Sequence, residues 1–165
     1  MNIIKLFDIQ AKLDEAITTE KGLIGANLLN HKIAALDVEL AELLNETRCF
    51  KYWSEKGPAE KSVILEEYAD CLHFILSIGL ALEIEISTKN LSDAFTVFDR
   101  DMINQYMQIK AFLVVLWDYE QPNDYFNLLR EFIRLGAMLG FTWSEIEQAY
   151  INKNEINYKR LESGY

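Results

Sequence analysis

The sequence predicts an all-α fold, and three features predict it. Leu, Ile, Glu, Lys and Ala dominate the 165 residues, only seven Gly and two Pro interrupt them, and apolar residues recur at steps of three and four along most of the chain. Half of the residues are hydrophobic and a quarter are charged, which supplies a core for one domain and not comfortably for two. A single helical bundle over residues 1–165 is therefore expected, with no repeat, low-complexity tract or interdomain linker.

Ile3, Ile4, Phe7, Leu13 and Ile17 draw an apolar stripe on a first helix over residues 2–21, stopped by Gly22 and Gly25. A second helix runs from about Asn27 or Asn30 to about Asn45, with Leu36, Leu40, Leu43 and Leu44 as its stripe. Residues 48–61, RCFKYWSEKGPAEK, read as a loop because the Gly57-Pro58 step breaks a helix. A third helix is predicted over about Ser62–Glu85, apolar nearly all round through its middle, as befits a segment at the centre of a bundle. Asn90 or Ser92 caps a fourth, which continues to Tyr119 with a break near Met107 and a stop at Pro122. A fifth starts near Asn123 or Asp124 and runs to Gly140, and TWSE at 142–145 is a capping box that opens a sixth.

A formal charge of −10 argues against an extended nucleic-acid footprint, which relies on clustered Lys and Arg. A small phosphorylated ligand remains compatible if cations offset the repulsion. The longest nearly unbroken apolar run, CLHFILSIGLAL, contains a His and is too short to span a bilayer, and the first twenty residues are not signal-like. A cytoplasmic protein without membrane contact is expected, with Cys49 and Cys71 as reduced thiols.

The second and third helices carry acids within apolar surroundings: Glu39 and Glu42 in ELAE, Glu67 and Asp70 in EYAD. A three-residue step turns a helix by about 300°, leaving the two side chains about 60° apart and one turn apart in height. Each pair thus shares a face. Antiparallel neighbours joined by the 48–61 loop bring all four carboxylates together, and such a cluster repels itself unless protonated or bridged by cations. Mg2+ suits hard carboxylate oxygens while keeping positions open for water and phosphate, so ExxE…ExxD predicts a divalent-metal site, with Mn2+ as a substitute. Solvated acids are common on helix surfaces, but the third helix is otherwise too apolar to be a solvated face. Glu46 and Glu66 fit the cluster less well and are assigned to the surface.

Three further segments accompany the doublet: ELAELLNETRCFKYWS, IQAKLDEAI at 9–17, and the closing AYINKNEINYKRLESGY. With them the chain resembles the all-α NTP pyrophosphatases of the MazG-like superfamily, and within these the dimeric dUTP diphosphatases. Phe50, Lys51, Tyr52 and Trp53 match a Trp-Lys-x-Trp-like block, residues 9–17 an LQxxLN element, and the end of the chain YxxKNxLNxxRxxxGY. The doublet marks only the superfamily, whereas the closing motif is much more specific.

The resemblance implies a bundle with a four-helix core plus additional helices, and hydrolysis of dUTP, with dUDP as a further candidate, to dUMP. It makes Glu39, Glu42, Glu67 and Asp70 the Mg2+ ligands, one of the first pair also orienting the attacking water. Metals can clamp a phosphate chain, acidify water and neutralise the leaving group. No Ser, Cys or His nucleophile is then required, and neither His31 nor His73 has a triad setting. The resemblance also puts Lys51, Lys153, Asn154, Asn157, Arg160 and Tyr165 at the phosphates and sugar, where Arg offers a bidentate fork and Lys a point charge. The competing reading of this stretch is an ordinary solvated C-terminal helix. Gln10 matches a position that hydrogen-bonds uracil. Asp14 stands where the family has Asn, and a carboxylate can only accept from the base. Trp53 and His73 complete the expected base pocket, the competing roles being a cap on the core and a satisfied core histidine.

Two other functions stay compatible with the residues. One is a pyrophosphatase for dCTP or a damaged nucleotide, which Asp14 keeps open; the other is a non-catalytic helical adaptor whose acids form a solvated stripe. A homodimer is expected, since AFLVVLW and the third helix offer more apolar surface than one small bundle buries, and the resembling family is dimeric with sites completed near the interface.

Overall fold

The computed structural model describes residues 2–86 and 101–164. Among them it holds six helices and no strand: α1 (Ile3–Glu20), α2 (Leu29–Thr47), α3 (Lys61–Ala81), α4 (Met102–Tyr119), α5 (Pro122–Met138) and α6 (Trp143–Glu162). α3 is the hub, packed against α1, α2, α5 and α6, while α4 pairs with α5 and touches α2, and α6 also meets α1. Its all-round apolar middle explains the position: Tyr68, Cys71, Leu72, Ile75, Leu76 and Ile78 are fully buried. The two thiols, Cys49 and Cys71, are unpaired, and no described helix is long and apolar enough to cross a membrane.

Local chemistry sets most boundaries. Gly22, at φ +66°, turns the chain out of α1, and Asn27 accepts from the Leu29 amide at the start of α2. The capping box of α6 is complete: Thr142 Oγ1 accepts from the Glu145 amide, and the Glu145 carboxylate accepts from the Thr142 amide at 2.8 Å. Arg48 leaves α2 in the left-handed region and then ties the following loop, donating to the Lys56 carbonyl and to Ser54 Oγ.

Several boundaries depart from expectation. α3 stops at Ala81 rather than Glu85, because the Glu83 amide donates to the Leu80 carbonyl and the Ile84 amide to that of Gly79, with Glu83 at φ +53°. This is a Schellman stop built on a non-glycine residue. α4 runs unbroken through Met107; no Gly or Pro lies inside it, and Asp101 caps it by accepting from the Asn104 amide at 2.8 Å. The candidate caps Asn90 and Ser92 lie outside the described residues. Pro122 opens α5 at its first turn, slightly ahead of the expected Asn123 or Asp124.

Two tyrosines lock α3 to α5. Tyr68 donates to the Phe132 carbonyl at 3.1 Å, and Tyr125 donates to that of Ile75 at 3.2 Å. Each hydroxyl reaches its acceptor across a glycine one turn further on: a Cβ at Gly136 would stand 2.7 Å from the Tyr68 oxygen, and one at Gly79 2.5 Å from that of Tyr125.

The two segments expected to present surplus apolar surface part company. The middle of α3 is consumed by the bundle, with Val63 near its start as its only exposed large apolar residue, whereas α4 leaves Ile103, Met107, Val114, Val115 and Trp117 exposed.

Candidate active site

Side-by-side packing of α2 and α3 brings the acids together. One carboxylate oxygen each from Glu39, Glu67 and Asp70 lies within 4.8 Å of the others. Glu42, one turn along α2, is exposed and outside this triad, although its charge still raises Glu39 and Glu67. Burial, followed by the charges of Asp70, Glu42 and Glu67, pushes the Glu39 carboxyl up to about 7. Burial also raises Glu67 and Asp70. Half-buried carboxyls with raised pKa values are underneutralised anions, and hard oxygens at this spacing fit a divalent cation, which would displace the protons.

The counter-charge comes from α6. Lys153 is buried, its Nζ 2.6 Å from Asp70 Oδ2 and 3.2 Å from Glu66 Oε1. The solvated-helix reading of this stretch therefore fails at Lys153. Glu66, assigned to the surface, is exposed but engaged.

Beside the triad lies a cavity of about 290 Å3 to which four helices contribute. Gln10 and Asp14 of α1, Glu39 of α2, Asp70 and His73 of α3, and Asn157 and Arg160 of α6 all line it. Behind this lining runs a network. Asp14 accepts from Gln10 Nε2 at 2.7 Å, from Lys32 Nζ at 2.9 Å and from Ser77 Oγ at 2.5 Å. Because a carboxylate cannot donate, the Gln10 amide nitrogen must face it. Gln10 Oε1 then points at the Tyr150 hydroxyl, 2.6 Å away, and at His73 Nδ1, 2.8 Å away. The His73 ring stacks on Tyr150 at 4.0 Å, and burial depresses its pKa to about 4 against a backbone contact from Tyr150, so it is neutral near pH 7. Lys32, Ser77 and Tyr150 were not singled out from sequence; their roles come from contacts between distant segments, which no local spacing encodes.

The structure separates other candidates from this cavity. Lys51 donates to Asn45 Oδ1 at 2.6 Å, beside the Phe50 ring, and Trp53 is 65% exposed, edge-on to Phe50 and Tyr52. Neither lines the cavity, and Trp53 does not cap the core. Asn154 is half-buried, its Oδ1 without a hydrogen bond. Tyr165 lies outside the described residues.

A helical bundle that gathers carboxylates beside a cavity lined by amides and an arginine has the make-up of an all-α nucleotide hydrolase. The chain matches the family described as dUTPase over residues 2–165, and it belongs to that family. Membership assigns it the hydrolysis of dUTP to dUMP, which sets aside the adaptor reading. No curated protein matches the chain.

Proposed function

We propose that the chain hydrolyses dUTP to dUMP and pyrophosphate with Mg2+, held by Glu39, Glu67 and Asp70 with Glu42 at the flank. The observation that carries this reading is the convergence of the three carboxylates within 4.8 Å, next to a cavity shared with Arg160 and Asn157. A divalent ion bound there supplies charge neutralisation for phosphates and acidifies water. By the motif match one of Glu39 and Glu42 orients the attacking water, and the charge of Glu42 reaches Glu39.

Arg160 and Asn157 meet the phosphates and sugar; the motif match adds Lys153, whose ammonium rests on Asp70 and Glu66. A cavity of about 290 Å3 sits near the low end of ligand pockets, roughly 300–1,000 Å3, so the uracil end enters against Gln10, Asp14 and His73 while the phosphates lie along the acids. Lys51, Asn154 and Tyr165 at the phosphates, and Trp53 over the base, rest on the motif match. Asp14, occupied by three protein donors, acts by fixing Gln10 rather than by reading the base itself. The protein acts in the cytoplasm as a single domain and a homodimer, with Mn2+ able to replace Mg2+.

Product analysis tests the reading: Mg2+-dependent pyrophosphate release from dUTP, compared with dCTP and dTTP. Equal rates on dUTP and dCTP defeat the uracil selectivity. Glu39→Gln and Asp70→Asn should each lower turnover by at least roughly a hundredfold with helix content retained. Near-normal turnover in both removes the site.

A further inference from the structure

Lys153 occupies an unusual place for an ammonium group: it is 7% exposed, and its Nζ is shared between two carboxylates, Asp70 at 2.6 Å and Glu66 at 3.2 Å. Buried lysines require such partners. The two partners are not alike. Asp70 is half-buried and belongs to the triad, whereas Glu66 is exposed on the same helix and does not. Lys153 and Glu66 also line a groove of about 480 Å3 between α3 and α6, so the side chain has room to lean toward either acid. Its charge lowers the pKa of Glu39 and Glu67 as well as of Asp70.

We propose that Lys153 is a built-in counter-cation of the acidic centre, competing with the divalent ion for Asp70 and retreating onto Glu66 when the ion binds. This rests on reading Glu39, Glu67 and Asp70 as the metal ligands. An ammonium beside a doubly charged ion at one carboxylate is repulsive, and the ion's affinity is reduced by the work of displacing it. Glu66 lowers that work by giving the ammonium a second partner.

Titration of the full chain with Mn2+, followed by the loss of the free-ion electron paramagnetic resonance signal without nucleotide, tests the competition. Lys153→Met should tighten Mn2+ binding by roughly tenfold or more. Glu66→Gln should weaken it severalfold in the wild-type background and leave it unchanged in Lys153→Met, because the acid acts through the lysine. In the unmodified protein, the 15Nζ resonance of Lys153 should move on addition of diamagnetic Mg2+, a readout independent of how the variants fold. Binding that is unchanged or weaker in Lys153→Met, or a Lys153 resonance indifferent to Mg2+, overturns the competition while leaving the metal site standing. Absence of Mn2+ binding in both proteins removes the metal reading and the competition together.

Discussion

Glu39 and His73 pull the pH dependence of stability in opposite directions. Burial first, then neighbouring acids, raises the Glu39 carboxyl from 4.5 to about 7. A folded-state value above the unfolded one contributes stability that is complete below pH 4.5 and is lost as the pH climbs to about 7. Burial lowers His73 from 6.5 to about 4, so its contribution is complete above pH 6.5 and is lost as the pH falls toward 4. Each effect is on the order of 1–3 kcal/mol, with Glu39 at the lower end because solvent screens a half-exposed group. Urea unfolding of metal-free protein across this window should show Glu39→Gln gaining stability with rising pH more steeply than wild type, and His73→Gln less steeply. Superimposable profiles for all three proteins would refute both assignments. The proximity of Glu39, Glu67 and Asp70 was legible because i, i+3 acids share a face on each of two consecutive helices, and the second of these is too apolar to be a solvated face. Glu42 is exposed and outside the triad, because the roughly 60° offset between the two positions of a pair is enough to leave one of them facing solvent.

At the scale of helices, boundaries marked by Gly, Pro or a capping box, as at Gly22 and Pro122, were read more surely than those without such a mark. Thr142 and Glu145 announce the start of α6 through a bond pattern confined to four residues. Arg48 and Glu83 each turn the chain through the left-handed region without being glycine, so the usual stop signal is missing at the ends of α2 and α3, whereas Pro122 marks that of α4. Gly79 and Gly136 served no visible purpose in the sequence; in the fold they admit the two tyrosine hydroxyls. Alanine at either position gains up to about 1 kcal/mol in helix propensity but collides with a buried ring. We expect Gly79→Ala and Gly136→Ala each to lower stability by about 1–3 kcal/mol, read from the urea midpoint at constant slope. A stabilised variant would show that the rings yield easily.

For the whole molecule, the decisive surface is the outer face of α4. Ile103, Met107, Val114 and Trp117 fall on one stripe, with Val114 58% and Trp117 56% exposed. Such a patch favours burial against a second copy. Light scattering at micromolar concentration should give a dimer mass, and Val114→Glu with Trp117→Glu should give a monomer that keeps its helix content. A monomeric wild-type chain would refute the homodimer.

The sequence by itself determined the all-helical class, the order of the segments, the α6 cap and the i, i+3 pairing of acids within each of two consecutive helices. All of these are local properties, set by residues within a turn or two of one another. Only the tertiary structure decided that Glu42 stands apart, that Lys153 is buried against Asp70, that Asp14 is tied to Lys32 and Ser77, and that α4 rather than α3 is left bare. Those outcomes depend on which faces of distant helices meet, and short-range periodicity carries no record of that choice.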